Sequence, residues 1–195
     1  MNNRIRTALL AVAVLALAAI PAASQEKEKE APSLLTPAHK LLGSITGDFE
    51  TTTRMWMKPD ADPVEAKSAS KREVLLDGLF LRESYEVKDG QFAHKGEITW
   101  AYNTATKKVQ YVQLLSNSPA MNIYEGEFDE KAKAFTVRSA YTMTYDGVEY
   151  DVKTRIVLSV ESADKQKLEI FSAYEFKGGS IPEYREIEVN YTRKK

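Results

Sequence analysis

The sequence predicts an all-β fold, an antiparallel up-and-down barrel of about eight to ten strands preceded by one short helix. Three observations carry this reading. From Asp48 onward apolar and polar residues alternate with a period of two. Hairpin punctuation recurs at Asp77-Gly78, Asp89-Gly90, Asn103 to Lys107, Asp129 to Lys133 and Asp146-Gly147. Almost no helical segment remains to cover the apolar face of such a sheet, and curling closed removes both the exposed face and the edges. A two-sheet β-sandwich is the alternative.

The chain opens with Arg4 and Arg6, then the small and apolar run Ala8 to Ile20, then Ala22-Ala23-Ser24 before Gln25. This is the pattern of a secretory signal peptide, residues 1–24, cleaved after Ser24. The run is shorter than the roughly 20 residues a spanning helix needs. The expected product is periplasmic or secreted, with no stable membrane anchor after cleavage. Removing this segment, which holds two arginines and no acid, takes the formal charge from −1 to −3. Residues 25–35, with Glu26, Lys27, Glu28, Lys29, Glu30 and Pro32, have little apolar surface to offset ordering entropy and read as a disordered charged linker.

A single barrel domain is expected over residues 36–195. Thr36 before Pro37 is an N-cap followed by the residue favoured at the first helical position, and Leu41, Leu42 and Ile45 have helical spacing up to Gly47. The clearest strand is Val148 to Val160, where Val148, Tyr150, Val152, Ile156, Leu158 and Val160 alternate with Glu149, Asp151, Lys153 and Arg155. The same parity sends Phe135, Val137, Tyr141, Met143 and Tyr145 inward, and likewise Leu168, Ile170, Tyr174 and Phe176.

Composition excludes several functions. Acids and bases are interspersed, so no basic stripe exists for nucleic acid. The absence of cysteine removes disulfides, thiolate metal sites, lipoprotein acylation and a catalytic Cys. Two histidines without a recognisable ligand spacing indicate no metal and no cofactor. No nucleophile elbow or triad signature is present, so no catalytic residue is assigned.

His39-Lys40-Leu41-Leu42, Gly47-Asp48-Phe49, the turn Leu76-Asp77-Gly78-Leu79-Phe80-Leu81 and the closing Tyr191-Thr192-Arg193-Lys194 together resemble an exported bacterial family, the domain-of-unknown-function family numbered fifteen-seventy-nine. The resemblance implies a lipocalin-like, calycin-type barrel. Calycins carry G-x-W on the first strand under a basic residue from the last; here Gly47, Phe49 and Arg193 fill those places. Phe49 departs from the Trp of that pattern, yet a cation over an aromatic face still closes the barrel, so Phe49 and Arg193 are assigned to structural closure.

Projection by parity puts ionisable groups on inward faces, where a charge needs a partner or a hydrated cavity. Phe92, His94, Ile98, Trp100 and Tyr102 share one face. Leu79, Leu81, Tyr85 and Val87 share theirs with Glu83, opposite Arg72 on the preceding strand. Arg185 precedes Ile187, Val189 and Tyr191. The set Arg72, Glu83, Tyr85, His94, Trp100 and Arg185 forms the candidate pocket for a small hydrophobic or amphipathic molecule, without catalysis. Two alternatives stay open: an isomerase- or cyclase-type enzyme using Glu83 or His94 as acid or base, and an envelope protein-interaction module with a filled barrel.

Overall fold

The structure, a computed structural model, describes residues 34–88 and 93–195. The expected signal peptide, residues 25–33 of the linker, the Asp89-Gly90 turn and Phe92 lie outside the described residues.

Helix α1 spans Pro37–Ser44. Its start is fixed by a device that includes a histidine. The Thr36 backbone N–H donates to His39 Nδ1 at 3.1 Å, and the Thr36 hydroxyl lies 2.9 Å from the same nitrogen. His39 occupies the position where a capping box ordinarily places Glu or Gln, and its ring is buried edge-on against Tyr102.

The strands are β1 (Gly47–Met55), β2 (Val64–Leu75), β3 (Phe80–Val87), β4 (His94–Asn103), β5 (Lys108–Leu115), β6 (Met121–Asp129), β7 (Ala134–Tyr145), β8 (Val148–Val160), β9 (Lys165–Phe176) and β10 (Gly179–Arg193). Each pairs antiparallel with its successor, and β10 pairs back onto β1, which closes the barrel. The barrel, not the sandwich, is the fold. Asp146 and Gly147 both take positive φ (50° and 75°), as a two-residue hairpin turn requires.

The up-and-down order gives the barrel two unlike ends. Helix α1 packs against β2, β3 and β4 at the end where β1 begins. Beneath it the interior is solid: Leu42, Ile45, Phe49, Leu81, Trp100, Tyr111, Phe135 and Leu158 are fully buried, with Trp100 packed on Tyr111 (4.7 Å between centroids) and Phe135 (6.0 Å). Among the described residues the opposite end has no such helix.

Two irregularities shape that opposite end. Pairing of β6 with β7 stops at Glu125↔Arg138, so Met121–Tyr124 and the β7 residues beyond Arg138 have no ladder between them. The split begins beside Gly126, where an added Cβ would lie 1.9 Å from the Thr136 carbonyl oxygen; only glycine permits this approach. The expectation that Tyr141, Met143 and Tyr145 are buried is corrected here. They are 43%, 37% and 69% exposed, because the β7–β8 hairpin runs past the end of its ladder with β6. The second irregularity lies in β10, whose register shifts between Ile181 and Tyr184 and again between Arg185 and Ile187.

Candidate functional site

The half of the barrel away from α1 contains a cavity of about 250 Å³. Its two sides differ in chemistry. Thr51, Ser68, Ser70, Tyr85 and Gln113 from β1, β2, β3 and β5 make a hydroxyl- and amide-rich wall. Leu168, Ile170, Ile187 and Val189 from β9 and β10 make an apolar one. Both follow from strand parity, since alternate residues of every strand point inward.

Glu83 and Tyr191 lie at the bottom, next to the filled half. Glu83 accepts from Arg72 Nε at 2.9 Å, with both side chains essentially inaccessible to water. Arg72 also donates through Nη1 to Gln166 Oε1 at 3.1 Å, and its guanidinium carbon stands 3.9 Å from the Tyr191 ring centroid. Gln166 is itself held by bonds from its amide nitrogen to the carbonyls of Ser162 and Ala163. Burial opposes the Arg72 charge, but Glu83 and Tyr191 outweigh it and hold its pKa above the ordinary value. Glu83 is thereby committed to an ion pair, which leaves it poorly suited to act as a free general base.

Three polar groups converge higher in the cavity. Gln113 Nε2 donates to Tyr85 Oη at 3.2 Å, and Tyr85 meets His94 edge-on at 5.6 Å between ring centres. Burial pushes the Tyr85 hydroxyl up to about 12, so it is a neutral phenol throughout the physiological range. Ser70 Oγ and Tyr111 Oη are buried, line the same cavity and have no hydrogen-bond partner among the described residues. A buried hydroxyl left unpaired costs about 1–3 kcal/mol.

The candidate residues separate on this geometry. Glu83, Tyr85 and His94 line the cavity; Arg72 stands behind Glu83 as its partner. Trp100 does not reach the cavity, because it lies too far toward α1, within the filled half. Arg185 is corrected outright. The β10 bulge pairs Arg185 with Phe171 and Ile187 with Ile170, leaving Glu186 as the extra residue. Arg185 is therefore turned out of the cavity, 4.4 Å over the Trp56 ring and paired with Glu169 and Glu188. Phe49 lies 5.0 Å from the Arg193 guanidinium, which also bonds Asp164 and the carbonyls of Ser44, Thr46 and Ala163.

Sequence reasoning missed Ser70, Tyr111, Gln113 and Glu186. The first three share strand parity with Arg72 or with Val109 and Leu115, so projecting β2 and β5 in full finds them. Glu186 had no such signal, since its orientation depends on the bulge. Among the described residues no group of three or more His, Asp or Glu is placed to hold a metal ion.

A family model described as "Protein of unknown function (DUF1579)" matches residues 35–193. The chain belongs to the DUF1579 family. No curated protein matches it. Among solved structures, the DUF1579 barrel is similar to that titled "Crystal Structure of Rv2717c from M. tuberculosis", at 10% identity and a TM-score of 0.43, over 83% of this chain and 99% of that one. What this DUF1579 cavity offers chemically is a set of neutral hydrogen-bonding groups facing an apolar wall, above an internally neutralised ion pair.

Proposed function

We propose that this chain is a non-catalytic binding barrel that takes one small amphipathic molecule, its polar group toward Ser70, Tyr111, Tyr85 and Gln113 and its apolar part against Leu168, Ile170, Ile187 and Val189. The observation that carries this is the pair of buried hydroxyls, Ser70 Oγ and Tyr111 Oη, which line the cavity without a partner among the described residues. Hydroxyl, carbonyl or amide groups of a bound molecule would pair with such hydroxyls and recover their desolvation cost. The cavity volume of about 250 Å³ points to a ligand below drug size, for which pockets of roughly 300–1,000 Å³ are usual.

The Arg72–Glu83 pair argues against Glu83 as the acid or base of an enzyme, and the cavity argues against a fully filled barrel. The basic and apolar start of the chain supports export, which places the ligand in the periplasm or outside the cell.

Titration with the fluorescent amphipathic probe N-phenyl-naphthylamine tests the reading. The wild type gives one saturable site. Ile170→Trp, which fills the cavity from its apolar wall, abolishes it. Unchanged binding in that variant places the probe elsewhere and contradicts the proposal.

A further inference from the structure

Among the described residues two carboxylates turn into the barrel, Glu83 within the cavity lining and Glu186 outside it, and their surroundings differ. Glu83 has Arg72. Glu186, carried inward by the β10 bulge, makes no ion pair among the described residues. Its oxygens accept from Ser172 Oγ at 2.7 Å and from Tyr174 Oη at 2.9 Å. Both donors are neutral, so the carboxylate charge is solvated but not compensated. A half-buried anion without a countercharge is costly, and this one is held in a fixed position by two good hydrogen bonds.

The rest of its surroundings are tyrosines. Tyr174 and Tyr184 approach with ring centres 6.4 Å apart, and Tyr150 meets Tyr174 edge-on. Tyr124 of β6 and Tyr141 of β7 are near enough to feel the charge of Glu186. The hydroxyls of Tyr124, Tyr141, Tyr174 and Tyr184 have raised pKa values, first through burial and then through neighbouring charge that includes Glu186; Tyr124 reaches about 12. These phenols stay neutral. Tyr124 and Tyr141 lie beyond the end of the β6–β7 ladder.

We propose that Glu186, with the rings of Tyr174 and Tyr184 beside it, is a second binding site, and that it takes an organic ammonium group. A metal ion requires several oxygen ligands beyond one carboxylate, whereas an alkylammonium requires one anion and aromatic surface, which together define an aromatic cage. This site is independent of the proposed cavity ligand, because Glu186, Tyr174 and Tyr124 are not among the residues that line the cavity.

Calorimetric titration with choline and with its neutral carbon isostere dimethylbutanol tests it on the wild-type protein. Choline binds one saturable site, and the alcohol binds about tenfold more weakly. Glu186→Gln, which keeps size and acceptor oxygen, lowers choline affinity about tenfold and leaves that of the alcohol unchanged. Ile170→Trp leaves choline binding intact, which separates this site from the cavity. Should Glu186→Gln misfold, Tyr174→Phe, which keeps the ring and removes one hydrogen bond, must still weaken choline. No choline binding to the wild type, equal affinity for choline and the alcohol, a folded Glu186→Gln that binds choline as the wild type does, or loss of choline binding in Ile170→Trp each overturns the proposal.

Discussion

Tyr85 occupies the space that a side chain on its cross-strand partner Gly96 would need: a Cβ added to Gly96 would lie 2.3 Å from Tyr85 Cζ. The ring is thereby laid over the β4 backbone, where its hydroxyl meets Gln113 and its edge meets His94. One glycine thus fixes the orientation of a cavity-lining phenol.

Gly96→Ala pushes the Tyr85 ring off β4. The expected result is a folded protein with lost or strongly weakened probe binding and a stability loss of about 1–3 kcal/mol. Gly126→Ala behaves differently, because the obstruction is the Thr136 carbonyl and cannot rotate away. It is expected to be the more destabilising of the two in urea denaturation, and the reverse order would contradict this account of the β6–β7 split.

The Arg72–Glu83 pair is wholly buried. Arg72→Met strands Glu83 and is expected to cost about 3–5 kcal/mol, whereas Arg72→Met with Glu83→Leu recovers most of that loss. Denaturant midpoints of the single and double variants decide it. A double variant no more stable than the single one means that Arg72 acts mainly through Gln166 and Tyr191.

Arg193 joins the end of β10 to the carbonyls of Ser44 and Thr46, to Ala163 and Asp164, and to the Phe49 ring. Arg193→Ala is expected to lower stability by about 3 kcal/mol. Arg193→Lys rescues little of it, because an ammonium cannot address four acceptors as a planar fork does. Full rescue by lysine, read from thermal melts, would reduce the role of Arg193 to its charge.

His39 gives stability a pH dependence. Its Nδ1 accepts the Thr36 N–H and so cannot carry a proton there, and burial lowers its pKa below 6.5 in the folded protein. The unfolded chain therefore binds the proton more readily. Stability from this site is complete above pH 6.5 and is lost as pH falls through 6.5 toward the lowered folded value. Melting temperatures of the wild type should fall over that window more steeply than those of His39→Gln. Parallel profiles would remove His39 as the source.

The fold was legible because its signals are local. Hairpin turns and period-two alternation set the strand sequence, and the basic–aromatic pair of Arg193 and Phe49 marks closure whether the ring is Trp or Phe. The Arg72–Glu83 pairing was legible as well, since both residues sit on inward parity in adjacent strands. Depth along the barrel was not: Trp100 and His94 share one face of β4, yet one is sealed under α1 and the other lines the cavity. Nor was the β10 bulge, a single inserted residue that turns Arg185 out and Glu186 in.

The central claim is that the cavity holds a small molecule through its polar wall. Native mass spectrometry of the protein purified gently from its own host, followed by denaturation and identification of what is released, tests it most directly. A single stoichiometric small molecule, lost from Ser70→Ala with Tyr111→Phe, is the predicted result; the mass of the bare polypeptide in repeated preparations would contradict it.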